Sequence, residues 1–261
     1  ELGRDPDTGG QTQYVLELVK SLANTSAVDQ VDLVTRSIKD KKVSEDYYKK
    51  NEYIELGARI LRFEFGPCKY LRKELLWPYL DELIEKLVQF YSLPENKPHW
   101  IHAHYADAGY VGVRLSKILN IPLIFTAHSL GREKQRRLLD AGITLNKIEK
   151  TYFISKRIAA EEEALEKSLM VVTSTRQESE QQYSSYKSFE LNKAKVISPG
   201  VDHCKFHHIH STTETSDIDT MMSPFLVDST KPPLLAISRA VRRKNVPSLV
   251  EAYGRSDKLK K

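Results

Sequence analysis

The amino-acid sequence predicts an α/β protein built on a doubly wound parallel sheet. Two observations predict that class. Short apolar runs of strand length alternate with longer amphipathic runs of helical period along most of the chain. Polar and cationic residues recur directly after the strand-length runs, which is where an open α/β sheet binds its ligands.

The elements follow in order. Gly9 and Gly10 precede a run in which Val15, Leu18, Val19 and Leu22 share one helical face. Bare backbone at a helix N-terminus lets a phosphate or sugar oxygen reach unpaired N–H groups without meeting a Cβ. The same residues fit a plain turn capped by Asp7 or Thr8. Neither GxGxxG nor GxxxxGK[ST] is matched. Next come the strands QVDLVT (30–35) and ARILRFEFG (58–66). A helix over 77–91 has Leu80, Leu83, Ile84 and Leu87 on one face and Pro78 in its first turn. The strand WIHAHY (100–105), the helix 108–119 and the strand PLIFTA (122–127) follow. A long charged helical tract then includes KRIAAEEEALEK (156–167). After it stand the strand LMVVTST (169–175), a helix over 176–186 and the strand AKVISPG (194–200). Residues 207–232 are rich in Thr, Ser and Asp and close on a Pro pair, which predicts a loop or linker. Beyond it lie one strand, LLAISR (234–239), and one helix (246–255), a unit too small to bury its own core.

Composition narrows the function classes. The chain has 261 residues, 40% hydrophobic and 29% charged, as soluble globular proteins do. Its 40 Lys+Arg against 35 Asp+Glu give a net charge of +5, too mild an excess to argue for nucleic acid and compatible with small anionic substrates. Cys68 and Cys204 stand far apart in no metal spacing, which predicts a reducing, cytoplasmic compartment. No apolar run approaches the ~20 residues of a membrane span. The first residue is Glu and the last ones read DKLKK, so the chain reads as a piece of a longer one.

The expected strand ends carry the candidate chemistry. Tyr105 and Asp107 follow the strand 100–104; His128, Ser129, Gly131, Arg132 and Lys134 follow 122–127; Ser174, Thr175 and Arg176 follow the next; Arg239, Arg242, Arg243 and Lys244 follow 234–238. Each cluster alone is an ordinary solvated loop, but their recurrence on one rim is the signal. His203, Cys204, His207, His208 and His210 do not match a zinc spacing and are read as no metal site. Arg132, Arg136 and Arg137 read as surface, and Asp5 and Asp7 as turn or cap residues.

The blocks ELGRDPDTGGQ, FGPCKYLRKELLWPYL, HAHYADAGY, FTAHSLGREK, TSTRQE, ISPGVDHCKFHHI and ISRAVRRKNVPSLVEAY, in that order and spacing, resemble the sucrose-phosphate synthase family. Those proteins are retaining glycosyltransferases with two Rossmann-like domains. The resemblance implies glucosyl transfer from UDP-glucose to fructose 6-phosphate, giving sucrose 6-phosphate and UDP, with no cofactor required. It implies an acceptor domain over 1–206 whose first strand is missing, a linker over 207–232, and the start of a nucleotide-sugar domain over 233–261. Gly9, Gly10 and Gln11 would lie against the sugars. Lys73, Tyr105, Asp107 and Ser129 would line the acceptor pocket, with Lys134, Lys156 and Arg157 at the 6-phosphate. His128 would hydrogen-bond the transferred glucose. Arg239 and Lys244 would take the diphosphate. Pathway logic adds a sucrose-6-phosphate phosphatase as partner. A fragment of this extent is expected to be inactive alone.

Two positions depart from the family pattern. Ala127 replaces a glycine before His128, setting a methyl beside the donor site, and Val241 replaces an aspartate in the Arg239–Lys244 loop. Two other readings therefore stay open: a divergent, non-catalytic domain that binds a sugar phosphate, and sucrose synthase-like transfer to unphosphorylated fructose.

Overall fold

The structure is a computed structural model and describes residues 9–204, 206, 212–228, 230–238 and 244–259. Contacts divide the chain into two compact units, Glu1–Gly200 and Val201–Lys261.

The first unit opens with helix α1 (Gly10–Ala23), of whose apolar face Val19 is buried. Strand β1 (Val31–Arg36) leads through a loop with a 3₁₀ turn at Glu45–Tyr48 to β2 (Asn51–Glu55), which turns back at Leu56-Gly57 into β3 (Ala58–Phe63). β1 pairs with β3 in parallel, Val31 opposite Ala58, and β2 flanks β3 antiparallel. The sequence analysis did not anticipate β2. NEYIE carries one large aliphatic residue, and the hairpin it makes is fixed by Gly57 at φ 76, a conformation that glycine adopts freely.

A 3₁₀ turn at Trp77–Tyr79 opens α2 (Leu80–Tyr91), which buries Leu80, Leu83, Ile84 and Leu87 as its period requires, and Tyr91 besides. Then come β4 (Ile101–His104), α3 (Ala106–Leu119) and β5 (Leu123–Thr126). The charged tract divides into α4 (Gly131–Asp140), α5 (Leu145–Tyr152) and α6 (Ile154–Lys167) before β6 (Met170–Thr173) and β7 (Ala194–Val196). β4, β5, β6 and β7 form one parallel sheet in that order. The strands thus belong to two sheets, a mixed one of three strands and a parallel one of four.

The core lies where α3 and α6 cover the parallel sheet. Leu123, Phe125, Val171, Ala164 and Leu165 are almost fully buried there. Helix α3 lies low on the sheet because Gly109 and Gly112 face it: a Cβ on Gly109 would stand 2.9 Å from the Phe125 ring, and one on Gly112 2.9 Å from Leu123. On the other side, α2 and α3 bury Leu61, Phe65 and Trp77.

The expected helix over 176–186 forms differently. Thr175 Oγ1 accepts from the Glu178 N–H at 3.0 Å, and the Glu178 carboxylate accepts from the Ser174 N–H at 2.7 Å. This reciprocal cap opens the segment. It then widens into a π turn at Glu178–Gln182 and a 3₁₀ turn at Tyr183–Ser185 instead of an α-helix. Tyr183 and Tyr186 are thereby buried, their hydroxyls accepting from the N–H groups of Ala127 and Arg132.

In the second unit, α7 (Thr212–Met222) stands within the stretch expected to be loop. Thr, Ser and Asp lower helix propensity by less than ~1 kcal/mol each, and nothing breaks the run until Pro224. α8 (Val246–Arg255) forms as expected, with Pro247 in its first turn. Residues 234–238 form no strand: Leu234, Leu235 and Ile237 are exposed, and this unit has no other strand among its described residues. A lone strand leaves its backbone groups unpaired. Asp5, Asp7, Thr8, Lys205, His207, His208, His210, Arg239 and Val241–Arg243 lie outside the described residues.

Candidate functional site

The site forms at the carboxyl ends of β4 and β5, which run parallel with His104 opposite Thr126. Both strands end in strained backbone. Tyr105 takes φ 81 and His128 φ 58, and the Ser129 N–H donates to the Ala127 carbonyl at 2.6 Å, closing a three-residue turn around His128. Such turns are rare. Non-glycine residues held at positive φ cost of the order of 1–3 kcal/mol and cluster at functional sites.

One half of the site is a narrow pocket lined by Lys73, Glu74, Trp77, Tyr105, Asp107, Lys134, Tyr152 and Arg157. Three cations face aromatic rings in it. Lys73 Nζ lies 5.1 Å from the Tyr105 centroid, the Arg157 guanidinium 4.6 Å from the same ring, and Lys134 Nζ 3.6 Å from Tyr152. Burial, then the positive Arg157 nearby, brings the Lys134 ammonium down to about 8. Burial also raises the Asp107 carboxyl above its usual range, against the Ala108 N–H that bonds it at 2.8 Å. The cavity is about 10 Å³, room for about one water, because Lys134 lies across Tyr152 and reaches to 3.9 Å from the Glu74 carboxylate. An entering anion would compete with Glu74 for that ammonium.

Arg157 is no solvated helix residue. It is 4% exposed, pairs with the fully buried Glu161 at 2.9 Å, and donates to the Ser129 carbonyl at 2.6 Å and hydroxyl at 3.1 Å. It therefore ties the pocket to the strand end that carries His128. Lys156, its neighbour, points elsewhere. Its Nζ lies 5.6 Å from the Trp77 ring in a separate cavity of about 300 Å³ with Leu71, Leu75, Pro78 and Phe153.

The other half is a cluster of rings. His104 Nδ1 and His128 Nε2 are 2.8 Å apart, and the two imidazoles stack at 5.0 Å. His102 lies against His104 at 4.0 Å and bonds Thr126 Oγ1 at 2.9 Å. Tyr14 of α1 meets His128 edge-on at 5.2 Å. Burial lowers all three imidazoles, His102 and His128 to about 4 and His104 to about 2, so the cluster is neutral. Because Tyr14 stands one turn into α1, the Gly9–Gly10 end of that helix lies close to the histidines. Gly9 caps α1 without a side-chain bond, and a Cβ on Gly10 would meet nothing within 4 Å. Gln11, like Gly10, is exposed.

Ala127, the residue before His128, belongs to the core. It is 0% exposed, and its N–H bonds the Tyr183 hydroxyl. Lys244 is an exposed residue of the second unit, and Arg239 lies outside the described residues. Of the residues expected at the surface, Arg136 and Arg137 are exposed and paired to Glu133, while Arg132 is half-buried against Glu162 and Tyr186. The sequence analysis missed Tyr14, Glu74, Trp77, His104, Tyr152 and Glu161. His104 alone had a local signal, as the last residue of an expected strand.

The Glycosyltransferase Family 4 model matches residues 8–205. Sucrose-phosphate synthase 4 of Arabidopsis thaliana is 36% identical over all of this chain and 31% of its own length. A probable sucrose-phosphate synthase 1 of Citrus unshiu is 36% identical over 97% of this chain and 30% of its own. The chain thus spans about a third of these curated relatives. Among solved structures, a sucrose-phosphate synthase from Thermosynechococcus elongatus superposes with a TM-score of 0.72 at 23% identity, covering 96% of this chain and 55% of that one. HepE of Anabaena, solved in complex with UDP-glucose, superposes at 0.50 and 15% identity, over 85% of this chain and 48% of that one. Both likenesses are in the fold.

Proposed function

The chain belongs to Glycosyltransferase Family 4, and from that premise we propose that it forms the acceptor-binding part of an enzyme that moves glucose from UDP-glucose to fructose 6-phosphate, releasing sucrose 6-phosphate and UDP. The observation that carries this reading is the convergence of Lys73, Lys134 and Arg157 on one pocket at the strand ends. Cations that are partly desolvated and held against aromatic rings suit a phosphate ester, since charge-assisted bonds strengthen where water is scarce.

In this reading the 6-phosphate draws Lys134 off Glu74 and takes bonds from Lys73 and Arg157. Tyr105 and Asp107 line the sugar, and Ser129 meets it from the far side of Arg157. The neutral His128 offers a ring nitrogen to a hydroxyl of the glucose being transferred. Gly9, Gly10 and Gln11 let the sugars approach α1. Arg239 and Lys244 neutralise the departing diphosphate, so the reaction needs no metal or other cofactor. The relatives' greater length supports a further part of the enzyme that completes the UDP site, and the present chain by itself turns over no UDP-glucose.

Calorimetric titration of the chain with fructose 6-phosphate and with fructose tests the reading. The ester is expected to bind at least tenfold tighter, and Lys134→Ala to abolish that difference. Equal binding of the two would favour transfer to unphosphorylated fructose. Failure of both to bind the folded chain would overturn the acceptor assignment.

A further inference from the structure

His104 is a half-buried titratable side chain for which the proposed reaction has no use. Its Nδ1 lies 2.8 Å from His128 Nε2. Only one proton fits on that line. If both nitrogens carried one, the two N–H groups would oppose each other even with both rings neutral. If neither did, two lone pairs would. The neutral pair therefore holds opposite assignments at the shared contact, one nitrogen donating and the other accepting.

The surroundings make that arrangement rigid. The His104 ring is held between the His102 ring at 4.0 Å and the edge of Tyr14 at 6.2 Å. His102 is itself tied to Thr126 Oγ1, and Thr126 is the β5 residue that pairs with His104 across the sheet. His128 sits in a strained turn closed by the Ser129 N–H on the Ala127 carbonyl, and its ring meets the Tyr14 edge at 5.2 Å and the His104 nitrogen at 2.8 Å.

We propose that His104 is a positioning residue: its Nδ1 selects one tautomer and one orientation of the His128 imidazole, leaving His128 Nδ1 as the single nitrogen offered to a sugar hydroxyl. The assignment of a sugar to His128 rests on the proposed function, but the tautomer lock does not, because it belongs to the chain without ligand. The device resembles the way a second group orients a histidine that ligates a metal or abstracts a proton, with an imidazole in place of the usual carboxylate or carbonyl. A carboxylate there would raise the His128 pKa and charge the ring, whereas an imidazole fixes it while leaving it neutral.

The test is long-range ¹H–¹⁵N correlation of the imidazole nitrogens in the uniformly labelled chain, without ligand, at neutral pH. His128 is expected to show one tautomer. His104→Phe keeps the ring in the stack but removes the nitrogen, and is expected to give His128 nitrogen shifts averaged between the two tautomers. His104→Asn sets an amide atom near the lost Nδ1 and is expected to restore the single tautomer. His102→Phe removes a stacked imidazole that makes no bond to His128 and is expected to leave it unchanged. A backbone amide spectrum of each variant reports folding. Averaged shifts in the unsubstituted chain, or a single tautomer in folded His104→Phe, would overturn the proposal. Neither result depends on whether fructose 6-phosphate binds, so the failure of the acceptor reading is told apart from the failure of this one.

Discussion

Arg157 and Glu161, one helical turn apart on α6, form an ion pair of 2.9 Å that is almost closed to solvent at both ends. The carboxylate also accepts from the Gly131 N–H at 2.9 Å and from the Tyr186 hydroxyl. It thus joins α6 to the start of α4 and to the turn after β6, while Arg157 carries the connection on to Ser129. Removing one partner of a buried pair leaves the other uncompensated, at about 3–5 kcal/mol. Glu161→Leu is expected to cost that much, because three donors lose their acceptor. Arg157→Met is expected to cost less, because the carboxylate keeps two donors. Urea unfolding checks the order. A larger loss for Arg157→Met would show that the guanidinium, not the carboxylate, is the hub.

In the proposed reading, Lys134 sets the pH range of phosphate-ester binding. Its pKa is lowered to about 8 by burial, so the ammonium loses its proton as pH rises through that value. A phosphate monoester gains its second charge at a pKa of about 6. Affinity for fructose 6-phosphate is therefore expected to climb through pH 6 and to fall above pH 8, a bell whose alkaline limb belongs to the protein. Fructose lacks the charge and is expected to give a flat profile. Calorimetry from pH 5.5 to 9.5 measures both, and an alkaline limb that persists in Lys134→Met would assign it to another group.

The rim of this site was legible in the sequence, and the sorting of its residues was not. Strand-length runs ending in HAHY and FTAHS placed Tyr105, Asp107, His128 and Ser129 together, because a parallel sheet has one ligand-binding edge. Lys156 and Arg157 looked alike as charges on a helix. At 3.6 residues per turn their side chains point about 100° apart, and only the packed position of α6 decides that Arg157 faces the pocket and Lys156 the neighbouring cavity. Glu161 was hidden for the same reason in AAEEEA, where three glutamates in a row carry no mark of which is buried. β2 has too few apolar residues to announce itself, and its existence depends on β3 being there to pair.

The histidine cluster makes the fold sensitive to acid. Burial holds His102 and His128 at about 4 and His104 at about 2, all below the value near 6.5 of an unfolded chain. Between those values the unfolded chain binds more protons than the folded one, so stability falls as pH falls. The loss begins near pH 6.5 and runs to about pH 4 for His102 and His128 and to about pH 2 for His104, with a slope of about 1.4 kcal/mol per pH unit for each histidine that titrates. His102→Phe keeps the ring stack without the titrating group, and is expected to flatten the slope by about one histidine's share. Thermal unfolding from pH 7.5 to 4.5 measures it, and an unchanged slope would place the sensitivity elsewhere.

Gly109 and Gly10 answer two different needs. A Cβ on Gly109 would stand 2.9 Å from Phe125 and 3.1 Å from Ala164. Gly109→Ala therefore pushes α3 off the sheet, with an expected loss of about 1–3 kcal/mol. A Cβ on Gly10 meets open space and the backbone there is helical. Gly10→Ala is expected to leave stability within about 0.5 kcal/mol. If the bare backbone at Gly10 exists for a ligand, this substitution nonetheless weakens sugar binding, because the methyl occupies the approach to the first turn of α1. Fructose 6-phosphate affinity falling at least fivefold in Gly10→Ala, with an unchanged unfolding midpoint, assigns the glycine to the ligand. Unchanged affinity would assign it to the turn alone and remove α1 from the site.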